Sequence, residues 1–306
     1  MLQLKAPNLQ LCGMRIIPSE IKTAQLHQYL LGAVAPRPIC FASTVDGVAR
    51  PNLSPYSFFN VFGSNPTTLV FSPSRRVRDN TVKHTLENLH ETGEVVINVV
   101  CYAMVQQASL SSCEYPKGMD EFEKAGFTKL ASELVKPWRV AESPVQMECR
   151  VRQIIETGTQ GGAGNLVICD LLVMHINDMV LNEKGQIDPH KIDLVARMGQ
   201  DYYCRASGSA VFEVPKPNTQ LGIGFDMLPA SIRHSKVLTG NHLGMLANVS
   251  EIPAIDAAFD DVHVKHIVQY YNLIPDEMEK ELHLHAAQLL DAGNVQQAWQ
   301  VLLADA

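Results

Sequence analysis

The first two thirds of the chain alternate short apolar runs with clusters of Gly, Pro, Asn and Asp, the pattern of strands separated by turns. Five runs qualify: Ile39 to Thr44, Thr68 to Ser72, Glu94 to Val100, Val145 to Ile155 and Leu166 to Ile176. Irregularly spaced strands with few helices between them favour a barrel over a doubly wound sheet. Two helices interrupt them. Asp79 to Thr92 carries Val82, Leu86 and Leu89 at helical spacing with Gly93 as its stop signal, and a shorter helix runs from Asp120 to Ala125 before Gly126. Between the last two strands, Gly158-Thr159-Gln160-Gly161-Gly162-Ala163-Gly164-Asn165 reads as a flexible hairpin loop. Its glycines lack the Gly-x-Gly-x-x-Gly spacing, so it is assigned no phosphate role.

The pattern changes at Val214-Pro215-Lys216-Pro217-Asn218, where two prolines and an asparagine end the β-rich part. The expected domains are therefore residues 1–215, mainly β with helices, and 216–306, a C-terminal helical extension. Leu238 to Gly244 is rich in turn formers and has no evident chemical role. From Ile255 the period becomes helical, with Ala258, Phe259, Val262, His266 and Gln269 near one face. Pro275 followed by Asp276 and Glu277 marks a second helix start, and Val295, Ala298, Trp299, Leu302 and Leu303 mark a third helix after Gly293-Asn294. Such short amphipathic helices need a packing partner, either the barrel or another subunit.

Composition narrows the class. With 46% hydrophobic residues among 306, the chain can bury a real core, and disorder as its main state is excluded. A formal net charge of −7 argues against general attraction to nucleic acid or anionic membrane, while leaving room for a local basic pocket. Seven cysteines, at 12, 40, 101, 113, 149, 169 and 204, include no Cys-x-x-Cys pair and suit reduced thiols in the cytoplasm. The N-terminus from Met1 to Pro7 lacks a secretory pattern, and the longest apolar run, around Val95 to Val105, is broken by Asn98 and too short for a membrane span.

The candidate chemistry lies in three neighbouring segments: Pro36 to Thr44, Asn52 to Asn60, and Thr68 to Ser72 with Arg75, Arg76, Lys83 and Thr85 beyond it. Small hydroxyls, a proline and aromatics in Asn-Leu-Ser-Pro-Tyr-Ser-Phe-Phe-Asn suit a flat polar ligand. Ser54, Pro55 and Ser57 let a loop expose backbone amides, while Tyr56, Phe58 and Phe59 offer apolar contact. Ser72, Arg75, Lys83 and Thr85 combine cations and hydroxyls just past a strand, which suits a phosphate. His175, at the end of an apolar strand, is equally readable as lining for a second ligand or as a hydrogen-bonded strand-end histidine.

In order and spacing these segments resemble the flavin reductase-like, FMN-binding split-barrel family, and the resemblance runs to about residue 205. Arg37 through Thr44 looks like the family's opening strand, Asn52 to Asn60 like its flavin-edge loop, and Lys83-His84-Thr85 with Asn88 like its Lys-Asp-Thr phosphate element. His84 stands where the family usually has Asp. Asp120 to Phe127, Ala141 to Val145 with Glu148-Cys149, and Arg197-Met198-Gly199 with Tyr202 also fit. The resemblance implies a split β-barrel and a flavin site that includes Ser43, Thr44, Asn52, Ser54, Pro55, Tyr56, Ser57, Phe58, Ser72, Arg75, Lys83 and Thr85. It implies FMN as cofactor, with FAD as the alternative, and NAD(P)H as co-substrate; Arg197 and Tyr202 from the resemblance, with His175 from its strand-end position, are the candidate lining for a nicotinamide cofactor or another substrate. A homodimer with flavin near the subunit interface is implied too, as is an oxidoreductase that passes electrons or reduced flavin to a second acceptor or partner oxygenase. A flavin-binding carrier or sensor without rapid NAD(P)H turnover is the alternative, because both need the same flavin contacts.

Other chemistries lack anchors: there is no Gly-x-Ser-x-Gly, Walker loop or His-Glu-x-x-His. His263 and His266 lie three apart near Asp260, but such spacing on a polar helix face is usually coincidental, and no protein-bound metal is expected.

Overall fold

The computed structural model describes residues 13–217 and 221–304, so Cys12, Asn218 and the Met1 to Pro7 segment lie outside the described residues. The chain divides into two compact units, Met1–Phe212 and Glu213–Ala306. Among the described residues, no helix is long and apolar enough to cross a membrane.

The first unit opens with helix α1 (Thr23–Ala33) and four strands, β1 (Cys40–Val45), β2 (Pro51–Tyr56), β3 (Phe59–Ser64) and β4 (Thr67–Phe71). Helix α2 (His84–Thr92), strand β5 (Glu94–Val99) and helices α3 (Val105–Leu110) and α4 (Glu121–Ala125) follow. Two short strands, β6 (Lys129–Leu130) and β7 (Arg139–Val140), precede the long pair β8 (Val145–Glu156) and β9 (Asn165–Ile176). A small hairpin, β10 (Val195–Arg197) with β11 (Tyr203–Arg205), completes it.

Seven strands form one sheet in the order β2-β1-β5-β8-β9-β4-β3, with antiparallel neighbours throughout. The two edge strands, β2 and β3, are joined by only Ser57 and Phe58. A two-residue link cannot cross an open sheet of this width, so the sheet must curl until its edges meet. They do not pair with each other, and the result is a split β-barrel with a C-terminal set of helices. Irregularities in the β8–β9 register, between Glu148 and Cys149 and between Val151 and Gln153, add the local bend that curling requires.

Strand β1 is buried along its whole length. Cys40 and Ala42 pack with Tyr56, Phe71, Ile97 and Met147 in the barrel core. Phe41 faces the other way, joining Leu53, Phe122 and Phe127 in a second cluster. A strand covered on both faces reads as a continuous apolar run, which is why it was visible without strict alternation.

The sequence reading requires correction at three helix starts and one loop. The helix expected from Asp79 begins at His84, because the Asp79 carboxylate accepts from the Thr81 amide at 3.0 Å and its hydroxyl at 2.6 Å, building a turn instead. Helix α2 does end as expected, with Gly93 in the left-handed region at φ 68°. The segment expected to be a loop at Asn52 to Asn60 is mostly strand, with a tight turn at Ser57-Phe58.

The second unit holds α5 (Ala230–Arg233), α6 (Gly240–Ala247), α7 (Val262–Tyr271), α8 (Pro275–Asp291) and α9 (Val295–Leu302). The turn formers around Leu238 are in fact the start of α6, where Thr239 and His242 form a reciprocal capping box. The helix expected from Ile255 starts at Val262, where the Asp261 carboxylate accepts from the His263 and Val264 amides. Pro275 begins α8 as its position predicts. Ile232, Leu246, Leu282, Leu290 and a fully buried Trp299 supply this unit with its own core.

Candidate functional site

A small, open cleft lies between the edge strand β2, the start of α2 and the segment after α3. Asn52, Ser54 and Tyr56 line it from β2, since alternate residues of a strand share a face. Lys83, His84 and Thr85 line it from the start of α2, Arg76 from the loop after β4, and Cys113, Glu114 and Tyr115 from the segment beyond α3.

Thr85 is the hub of this wall. Its hydroxyl oxygen accepts from Asn52 Nδ2 at 2.9 Å and from the Tyr56 hydroxyl at 2.8 Å, which leaves its own proton for a third partner. Burial pushes the Tyr56 phenol up to about 12, so it stays a neutral donor to Thr85. The first turn of α2 has no side-chain cap at Lys83. Its leading amides, those of His84 and Thr85, therefore have no partner within the helix and carry the positive end of the helix dipole.

Among the described residues the Lys83 ammonium has no hydrogen-bond or ion-pair partner. Burial, then repulsion from Arg76, holds its pKa below the usual lysine value. Burial likewise lowers His84, which favours the neutral ring where a carboxylate was expected. Arg76 is held by Thr81 Oγ1 at 2.7 Å and the Val82 carbonyl at 2.9 Å, with Glu114 at 2.9 Å on its Nε. Glu121, also on the cleft, accepts from the Leu53 amide at 3.0 Å, and burial raises its pKa despite that bond. A half-buried lysine without a counter-ion and unshared helix amides, beside an Arg76 already paired with Glu114, form a concave site that can accept a further anion.

Several candidates from the sequence are placed elsewhere. Ser43 is sealed on the other face of β1 with its hydroxyl unpaired, and Thr44 is fully buried, accepting from Asn88 at 3.1 Å. Ser72 accepts from the Asn165 amide at 3.0 Å and so ties β4 to the start of β9. Arg75 is turned away, spending its guanidinium on Asn80 at 2.7 and 3.0 Å, and its neighbour Arg76 enters the cleft instead. Two adjacent side chains on a turn face opposite ways, and only the fold decides which points inward.

The loop at Gly158 to Asn165 has a positional role. At Gly161 an added Cβ would lie 2.9 Å from the Arg76 carbonyl and 3.1 Å from that of Val77, so only glycine lets this turn pack on the arginine loop. The Arg75 amide bonds the Ala163 carbonyl at 2.9 Å, fixing the same contact.

A second cluster surrounds the Ser57-Phe58 turn. Arg37, nearly buried, donates to the Leu31, Val34 and Met198 carbonyls at 2.5, 2.6 and 2.8 Å and approaches Ser57 Oγ at 3.4 Å. It thereby fastens the β10–β11 hairpin beside that turn. Phe58 meets the His27 ring edge-to-face at 6.1 Å. Pro55 and Ser57 are half-buried, with Pro55 paired to Phe41 across β1. In the hairpin, Arg197 lies over the Tyr203 ring at 4.6 Å, while Tyr202 is 70% exposed at the turn. His175 is not part of either cluster: its Nε2 lies 2.8 Å from the fully buried Glu148, which also accepts from the Glu133 and Leu134 amides at 2.8 and 2.6 Å. This strand-end histidine, hydrogen-bonded in this way, has its Nδ1 3.7 Å from the Glu133 carboxylate.

Arg76 was named in the sequence beside Arg75 but not assigned to the site, and Glu121 lay in a matched stretch without a role. The Ser111 to Tyr115 segment, with Glu114, had no signal, because a segment distant in sequence brings it to the cleft.

The model of the flavin reductase like domain matches residues 32–191, the whole barrel and the cleft. The chain belongs to the flavin reductase-like family. An uncharacterised protein of Aquifex aeolicus is 32% identical over 201 residues, covering 66% of this chain and 100% of that protein. Nitrilotriacetate monooxygenase component B from Bacillus cereus superposes with a TM-score of 0.61 at 27% identity, over 66% of this chain and 98% of that one. A Shewanella frigidimarina protein assigned to the flavin reductases with a split-barrel domain gives 0.57 at 25% identity, over 67% and 100%. The likeness therefore takes in nearly the whole of each relative.

Proposed function

We propose that the chain binds FMN at this cleft and works as an NAD(P)H-dependent flavin oxidoreductase, delivering electrons or reduced flavin to a second acceptor. The observation that carries this reading is the Lys83 ammonium, half-buried and without a counter-ion beside Arg76, Thr85 and the first amides of α2. This donor set fits a phosphate dianion: two cations, one hydroxyl with its proton to give, and helix amides. FAD fits the same wall through either of its phosphates. From the cleft, Ser54 and the Ser57-Phe58 turn lead along β2 to an edge where half-buried Pro55 and exposed Phe58 offer contact to a flat ring.

FMN supplies the hydride-accepting ring, and the protein's part is to hold and orient it. A partner oxygenase, in the manner of the two-component arrangement that the name of the Bacillus cereus protein implies, is one acceptor consistent with this role. A homodimer is proposed on the same family basis. The carrier or sensor reading is supported by one observation, that the Nε2 of His175 is engaged by Glu148.

The test is the visible spectrum of the protein loaded with FMN and mixed anaerobically with NADH or NADPH. A reductase bleaches its flavin band within seconds, given typical turnover of about 1–1,000 per second. Bleaching by dithionite but by neither nucleotide would overturn NAD(P)H as donor in favour of the carrier.

A further inference from the structure

The cleft contains an anion of its own. Glu114 reaches across from the segment after α3, placing Oε1 2.9 Å from Arg76 Nε and Oε2 2.9 Å from an Arg78 guanidinium nitrogen. We propose that Glu114 is a resident competitor for the ligand's phosphate, a specificity-setting residue that keeps the flavin exchangeable; this rests on the phosphate reading of the cleft given above.

Arg76 uses one side of its guanidinium to hold Thr81 and Val82, which leaves the side now engaged by Glu114 as a principal contact for an incoming phosphate. Lys83 alone among the cleft cations has no acceptor. A phosphate at Lys83 and Thr85 therefore either displaces the Glu114 carboxylate from Arg76 or lies beside it, like charge against like charge. A carboxylate tethered to the same fold is always present at high local concentration. The same pair is too exposed to block the site, since the Glu114 side chain is 46% accessible and exposed ion pairs are weak. Competition of this size lowers affinity without abolishing it. The two arginines hold the Glu114 carboxyl below its ordinary pKa, so it remains charged throughout the neutral range. A flavin bound against such a competitor leaves readily, which suits a protein that treats reduced flavin as a product.

The experiment compares dissociation constants for FMN and riboflavin in wild type, Glu114→Gln and Glu114→Ala, with melting curves as a folding control. Removing the charge is expected to tighten FMN by roughly twofold to fivefold in both variants and to leave riboflavin unchanged. FMN dissociation measured by stopped-flow fluorescence should slow or association should quicken by the same total factor. If wild type prefers FMN to riboflavin but neither variant tightens FMN, Glu114 is a structural ion pair and this inference is overturned alone. If wild type binds the two flavins alike, the phosphate site itself is lost, and the inference with it.

Discussion

Replacing Lys83 by Ala should produce opposite signs in binding and in stability. In the unliganded protein the ammonium is half-buried, lacks an acceptor and is repelled by Arg76, so its removal takes away a cost and no contact. Apo stability should stay level or rise slightly. With FMN bound, the same group would make a charge-assisted hydrogen bond of about 1–3 kcal/mol, or roughly fivefold to 150-fold in Kd. Lys83→Met, which keeps an apolar stem, controls for lost packing and should behave alike. Flavin fluorescence quenching titrated with FMN and with riboflavin reads the effect, because only FMN carries the phosphate. The reasoning is refuted if FMN affinity is unchanged, or if riboflavin loses as much affinity as FMN, or if the apo protein melts several degrees lower.

Arg76→Ala should weaken FMN binding roughly tenfold or more, whereas Arg75→Ala should change it little, because Arg75 is spent on Asn80; calorimetry on the two variants ranks them. Burial alone would raise the Glu148 carboxyl, but the Glu133 and Leu134 amides and His175 outweigh it and hold its pKa below the ordinary value. Its stabilisation is therefore present above that ordinary value and lost as pH falls through the depressed one. Glu148→Gln should cost about 1–3 kcal/mol in urea unfolding at pH 7 and flatten the acid limb, and His175→Ala should lower stability while FMN affinity holds; a normal melting curve with impaired nucleotide-driven reduction would contradict this. Trp299→Ala should cost the 213–306 unit about 3–5 kcal/mol through the cavity it leaves. FMN binding should persist in that variant, as read by flavin fluorescence; loss of FMN binding would show that the cleft depends on the second unit.

The strands were legible because barrel strands are short, apolar and bounded by turn formers, and Ile39 to Thr44 or Glu94 to Val100 could hardly be anything else. Gly93, Pro275 and Gly293 punctuate helices through backbone constraints that act locally, so they too were readable. Other helix starts were misread for an equally local reason: Asp79, Thr239 and Asp261 use side-chain oxygens to organise the backbone, and a turn and a cap share the same residues. The cleft divides along the same line. That Lys83 and Thr85 belong to one element was readable from their order in the chain, but that they stand at a helix start beside β2 was decided by the fold. Which of Arg75 and Arg76 turns inward, and that Glu114 and Glu121 would face the hydroxyls of β2, depended on segments separated by tens of residues. His175 is the plainest case. The sequence determined that it ends a strand, but only the fold brought Glu148 to within 2.8 Å, because the β8–β9 register pairs Gln146 with His175 and sets Glu148, two residues on, on the same face, where a buried carboxylate must find a donor.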